Sequence, residues 1–527
     1  MTTKKENSNQ SSEDAKDQVN KHYDYIIVGG GSAGCVIARR LVESNKFTVL
    51  LIEAGESGEG IDTILNPARW LENIGSVQDY LYQYSPSPLL NNRLIYAPRG
   101  KVLGGSGSIN GMIWSRGNKD DYDGWAAAGN QGWDYNSVLP LFKKAEDWEG
   151  GESMFHGAGG PISIGNTKYL HPIDSSFIAA AKSFGIPYLA DINGPAPEGA
   201  APLCLNIKDG IRCSPYSGYL KPVLESLNLT VITGANVNEL TIENGACVGL
   251  IYTKDAKIHH VSTSQEVILC AGVFETPRLL MLSGIGDEND LKELDINVKF
   301  NLPGVGKNLQ DHPLVSLTYQ ANKPIDYFTY NLGGSNLYWK SRPELPNSDI
   351  NLIPIQVPIM SAEIADHVQL PENCFSVFAT LVSVNSRGFV KLQSKDPSAQ
   401  LIIQPNLLAD ERDMEAMINA VELCMKIVSQ QPMQNIIKSW VAPKSGIDRD
   451  DIKAFVKNAC STYFHPVGSC AMGSDIDSVV NNKLQVYGIT GLRIADASIM
   501  PRITTSNTNA PTVMIGEFAA QLILKKR

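Results

Sequence analysis

From Tyr23 to Val28 the chain reads YDYIIV, a run of β-branched and aromatic residues that predicts a strand, and Gly29-Gly30-Gly31-Ser32-Ala33-Gly34 follows at once as a turn. Residues 35–43 (CVIARRLVE) place apolar side chains at helical spacing, and 47–52 (FTVLLI) reads as a second strand closed by Glu53. Strand, helix and strand in that order predict a βαβ unit. The alternation then stops, because 56–98 runs from GESGEGIDTILNP into YSPSPLLNNRLIYAP without another helix and strand. Farther along, 314–322, 349–357, 375–384 and 387–394 are strand-like runs that predict an antiparallel sheet rather than more βαβ units. Residues 410–430 form an amphipathic helix read as core packing. The stretch 504–511 (TTSNTNAP) predicts an Asn-rich turn capping a helix that starts near Thr512.

Composition narrows the class. The 527 residues are 43% hydrophobic and 19% charged, which is globular and excludes a largely disordered or coiled-coil chain. At roughly 150 residues per domain, length alone predicts three or four units. A balance of 45 Lys+Arg against 55 Asp+Glu, net -10, argues against general affinity for nucleic acid or an anionic membrane. Nine Cys without a C-x-x-C pair read as small core residues, with neither a disulfide framework nor a metal site. Residues 1–21 read as a disordered tail, and no secretory or membrane-spanning segment is visible. The C-terminal residues 524–527 are not a peroxisomal address, so the expected location is cytoplasmic.

The glycine turn carries the first candidate chemistry. Gly29 permits a tight turn, Gly31 lets backbone approach a pyrophosphate, and Gly34 lets the helix pack on the strand. Ser32 and Ala33 open the helix, whose N-terminus supplies unpaired N–H groups and positive dipole to phosphates. Glu53, followed by Ala54, stands at the end of the second strand, where a carboxylate accepts hydrogen bonds from ribose hydroxyls and repels a 2′-phosphate. These features predict dinucleotide binding but leave FAD and NAD undivided.

A second glycine-rich loop follows, from Arg99 through Gly104, Gly105, Ser106 and Gly107 to Met112, with Val, Leu and Ile at intervals unlike a flexible linker. Here the chain resembles the glucose–methanol–choline (GMC) oxidoreductases. The run from Gly100 through Asn110, Trp114 and Gly117 to Asp123 fits the family's first signature. Residues 272–286 fit the second, with Val273 where a smaller residue is usual. The likeness extends from Tyr23 to about Ala520 and includes 116–135, 302–313, HPVGSCAMG (465–473) and DASIMP (496–501).

The resemblance implies a Rossmann-type FAD-binding lobe, α/β and α+β in class, interleaved with a substrate lobe built on an antiparallel sheet that roofs the flavin. The FAD lobe is expected over 22–160, 205–310 and 455–527, and the substrate lobe over 161–204 and 311–454. FAD contacts are implied at Val102, Gly104, Asn110, Gly111, Met112 and Ile113 in the loop. Val237 would meet the adenine through its backbone, with further contacts at Ala271, Asp496, Ala497, Asn507 and Thr508. Some relatives bond flavin covalently to a His just before the loop Asn. Ile109 stands there, so FAD is expected to be non-covalent.

Of eight His, His465 falls in the segment that resembles the family's catalytic loop. Alcohol oxidation removes a hydroxyl proton and a hydride; an imidazole can take the first while flavin N5 takes the second. His312, in the turn-like QDHP, reads as structural. Counting six positions past Pro501 gives Asn507 as the partner that holds the alcohol oxygen, with Asn509 as its rival by spacing from His465. Phe464 reads either as a ring over the flavin that shapes oxygen access or as simple packing. Tyr327, Phe328, Tyr330, Tyr338 and Trp339 read either as ordinary core aromatics or as pocket aromatics suited to an aromatic alcohol or a quaternary ammonium. The expected function is oxidation of a small primary alcohol to an aldehyde, electrons passing to oxygen or a quinone-type acceptor. A hydroxynitrile lyase with structural FAD and a nicotinamide dehydrogenase are the alternatives; the alcohol and the oligomeric state stay open.

Overall fold

The computed structural model describes residues 22–525. The expected tail, 1–21, lies outside the described residues.

The predicted βαβ unit is present: β1 (His22–Val28), α1 (Ser32–Glu43) and β2 (Val49–Ile52). α1 begins three residues earlier than its apolar spacing indicates, because the turn glycines let the chain enter the helix directly. A side-chain carbon at Gly34 would lie 2.0 Å from the Gly29 carbonyl oxygen, so only glycine lets α1 sit this close to the turn. β1 pairs in parallel with β2 on one side and with the long strand Lys257–Leu269 on the other. Leu229–Ile232 adds beyond β2, and Leu492–Ile494 pairs with Lys257–Leu269, both in parallel. Ala235–Glu243 and Ala246–Lys254 extend the sheet as an antiparallel meander. The result is a seven-stranded mixed sheet, and its parallel part, covered on both faces, is the apolar core of the cofactor lobe.

The second sheet is antiparallel and also seven-stranded. Its order runs Ile437–Ala442, Pro313–Ala321, Cys374–Leu381, Ile350–Ile355, Ser335–Trp339 and Gly199–Pro202, with Cys460–Thr462 paired to Pro313–Ala321. Three of the four runs expected to build it do so. The fourth, 387–394, departs: Phe389–Leu392 pairs only with Leu401–Gln404 in a separate two-stranded ribbon. Alternation reveals which face of a strand is buried, not which sheet it joins. The predicted helix forms over Glu411–Val428 and buries its apolar stripe, including Met417, Val421 and Cys424.

The last helix, Asn509–Lys525, starts three residues before Thr512. Pro511 falls in its first turn, where a missing N–H is no loss. Its buried Glu517 accepts from Arg40 Nη2 at 2.6 Å, Lys144 Nζ at 2.7 Å and the Tyr219 hydroxyl at 2.9 Å. Removing one partner of such a buried cluster costs roughly 3–5 kcal/mol, so this anchor fixes where the preceding loop carries Asn507. All nine cysteines are buried and unpaired. Among the described residues, no helix is long and apolar enough to cross a membrane, and no group of ligating side chains could hold a metal ion.

Candidate active site

One cavity of about 980 Å³ runs between the glycine turn and the second sheet. At its first end lie Gly29, Gly31, Ser32, Ala33, Glu53 and Ala54. No side chain caps α1 among the described residues, leaving first-turn N–H groups to the cavity. A side-chain carbon built at Gly31 would meet nothing nearer than 3.8 Å, and at Gly272, with φ +86°, nothing within 4 Å. These bare backbones fit a bound pyrophosphate. Glu53 accepts from the Gly30 and Gly55 amides, each at 2.8 Å, so it braces the turn as well as facing the cavity; burial pushes its carboxyl up to about 7.

Val237 and Ala271 line the same cavity, as do Asn110, Gly111, Met112 and Ile113 of the second loop. Asp496, beside Ala497, accepts from Gly272 N at 2.8 Å, Thr276 Oγ1 at 2.7 Å and Ser498 N at 2.8 Å, while burial raises its carboxyl. Gly34, Val102 and Gly104 do not line the cavity. They stand behind its wall, Val102 packed with Ile64 and Ile109, and Gly104 donating to the Gly30 carbonyl at 2.7 Å.

At the far end His465 Nε2 lies 3.2 Å from Asn507 Nδ2, and both residues line the cavity. Asn509 is elsewhere: its Oδ1 accepts from Ser32 Oγ at 2.8 Å, near the glycine turn. Thr508 lines the cavity between them, its carbonyl accepting from Thr512 N. His465 Nδ1 faces His312 Nδ1 at 3.0 Å. With the Asn507 amide donating, His465 carries its proton on Nδ1 and gives it to His312, leaving Nε2 as the acceptor. Burial, His312 and Arg99 hold the His465 imidazole well below its ordinary range, so it is neutral at neutral pH. Burial takes His312 down to about 3. His312 thus has a specific partner in His465, which its turn motif does not reveal.

Asp311 organises this end. Its carboxylate accepts from His312 N at 2.8 Å, His465 N at 2.9 Å, the Tyr84 hydroxyl at 2.5 Å and the Thr462 hydroxyl. Arg99 donates to the Phe464 carbonyl, and Phe464 takes φ +66° between two tethered neighbours. Sequence spacing missed Asp311 and Arg99, because their partners are distant in the chain.

Of the Phe, Tyr and Trp rings singled out in the sequence, only Phe464 lines the cavity. Tyr327, Phe328, Tyr330, Tyr338 and Trp339 do not line the cavity; Trp70, Phe378, Tyr463 and Phe464 do. Tyr327 and Phe328 are half exposed, and the Tyr330 hydroxyl accepts from the Lys168 and Tyr169 amides. Phe378 was traceable in part through strand parity. Trp70, inside the irregular 56–98 stretch, has no periodicity to expose it.

The glycine turn at the start of α1 and His465 beneath the antiparallel sheet thus share one cavity. The profile described as GMC oxidoreductase matches residues 23–314, and a second of the same description matches 384–516; the chain belongs to the GMC oxidoreductase family. It is 36% identical to mitochondrial choline dehydrogenase of Mus musculus, covering 95% of this chain and 89% of that protein. It is equally 36% identical to oxygen-dependent choline dehydrogenase of Vibrio vulnificus, covering 96% and 95%. Among solved structures it resembles pyridoxine 4-oxidase from Mesorbium loti with TM-score 0.92 and 32% identity over 96% of this chain and 99% of that one. The chain is thus an enzyme of redox chemistry, and family membership implies an FAD-binding domain.

Proposed function

We propose that the protein oxidises the CH–OH group of a small primary alcohol to an aldehyde with non-covalently held FAD, passing electrons to oxygen or a quinone-type acceptor. The observation that carries this reading is the His465 Nε2 to Asn507 Nδ2 pair, 3.2 Å apart in the cavity that begins at the α1 N-terminus. FAD, when bound, supplies the hydride acceptor. The α1 N-terminus with Gly31 would hold its phosphates, Glu53 its ribose, Val237 its adenine, and the 110–113 loop its ring. A hydroxyl placed between the pair would accept from Asn507 Nδ2 and donate to His465 Nε2. His465, neutral through burial, then takes the hydroxyl proton. Asn507 holds the oxygen as it gains negative charge. Ile109 offers no ring nitrogen for a covalent flavin bond. The 22–160, 205–310 and 455–527 segments then form the cofactor lobe, with 161–204 and 311–454 as the substrate lobe.

Anaerobic mixing of the FAD-loaded enzyme with a panel of primary alcohols, followed by flavin absorbance, tests the reading. Bleaching with stoichiometric aldehyde is expected; a flavin that no member bleaches would sink it.

A further inference from the structure

We infer that the pocket selects an uncharged, apolar primary alcohol, benzylic in type, and discriminates against cationic alcohols. This rests on the proposed alcohol oxidation for its chemistry, but not for its binding test. The two relatives named as choline dehydrogenases are 36% identical to this chain, so the selection is a property of its own pocket residues.

The argument begins with strand parity. Ile353 and Ile355 point to one face of Ile350–Ile355, and Phe378 is the register partner of Ile353 on the neighbouring strand. These three belong to a separate apolar cluster with Trp70, Met112 and Tyr463, and all six line the cavity. Tyr463 packs edge-on against His465 with ring centroids 4.3 Å apart, which places this cluster at the catalytic end.

Four carboxylates line the cavity, and each is committed elsewhere. Glu53 is held by the Gly30 and Gly55 amides, and Asp496 by Gly272, Thr276 and Ser498. Glu275 is taken by the Tyr82 hydroxyl and by Arg278 at 3.2 Å, and Asp396 accepts from Ser398 of its own turn. Asp311, beneath His465, does not line the cavity and is occupied by four donors. Among the groups that line the cavity, the charge beside the catalytic loop is a cation, Arg99, bonded to the Phe464 carbonyl. A fixed positive charge entering here would lose its water and meet Arg99, with every lining carboxylate already bonded to other groups. Ring faces attract cations, but they offset only part of the cost of stripping water from a charge. An uncharged ring with one hydroxyl matches apolar walls and a single polar corner at His465 and Asn507.

The test uses isosteric pairs: 3,3-dimethylbutan-1-ol against choline, and 3-methylbenzyl alcohol against 3-(hydroxymethyl)-1-methylpyridinium. With FAD-loaded enzyme under anaerobic conditions, the second-order constant for flavin reduction should favour the neutral member of each pair by about 100-fold or more. Equal constants, or preference for the cation, would overturn the inference. Calorimetric titration of the same pairs reads binding directly. If no alcohol reduced the flavin, oxidation would fail as a reading, and the ratio of dissociation constants would still decide the selection. Phe378→Glu, which replaces a ring by a smaller acidic side chain, should narrow the ratio at least about tenfold. A folded, FAD-containing variant with an unchanged ratio would overturn the assignment to the roof residues. The wild-type comparison stands whether or not that variant folds.

Discussion

The two ends of the cavity are built by different means. The cofactor end is mostly backbone: a glycine turn, a helix start and one carboxylate, contributed by neighbouring residues between Gly29 and Gly55. The proposed catalytic end is side chains from far apart, with His312 and His465 separated by 153 positions and His465 and Asn507 by 42. A backbone site tolerates change in side-chain chemistry but not in side-chain size. A side-chain site tolerates neither, and depends on what holds each group still.

That contrast can be broken at either end. The largest expected effect is at His465: His465→Ala should slow flavin reduction by about 10²–10⁴-fold while FAD content stays at wild-type level. Reduction at the normal rate in anaerobic stopped-flow would remove the imidazole from the mechanism. Gly31→Val should do the opposite, since the added carbons meet little protein and occupy the phosphate space. The variant is expected to fold normally by circular dichroism yet bind FAD about 100-fold more weakly. Full flavin occupancy after purification would show that the cradle does not use this backbone. Asn507→Ala should lower the reduction rate about 10–100-fold, and Asn509→Ala much less; equal losses would undo the geometric choice between them.

The effect at His312 is smaller and is read through pH. Burial first, and the His312 contact second, hold His465 low, so the acid limb of kcat/KM should lie below 6.5 in the wild type and move up only part of the way in His312→Gln. An unmoved limb would leave His312 without influence on the base. Both imidazoles are neutral in the folded state, with folded values below 6.5, whereas the unfolded chain protonates near 6.5. Stability is therefore expected to fall as pH drops from 6.5 toward about 3, measured by denaturant midpoints. The smallest effect is Tyr84→Phe, which removes one donor from Asp311. A loss of about 1–3 kcal/mol in unfolding free energy is expected, with FAD affinity unchanged.

How much was legible follows the same division. The βαβ unit, the glycine cradle and three strands of the roof were readable because each is a local pattern in which neighbouring residues explain one another. The ribbon at Phe389–Leu392 was placed in the wrong sheet because pairing partners are not encoded in a strand's own alternation. The pocket rings were not legible for a related reason: Tyr327 and Phe328 suit a pocket or a core equally by composition, whereas Trp70 and Phe378 reach the cavity only through tertiary packing.

By itself, the sequence determined the glycine turn and the helix it opens, the family, and His465 as the candidate base, since turns, helix starts and contiguous motifs are set by steric and hydrogen-bonding rules within a few residues. Only the tertiary structure decided that Asn507 rather than Asn509 faces that base, that His312 backs it, and that Asp311 fixes its loop. It also decided that the walls around His465 are apolar and that every carboxylate lining the cavity is already bonded to other groups, because a side chain's electrostatic surroundings depend on which distant strands are folded over it.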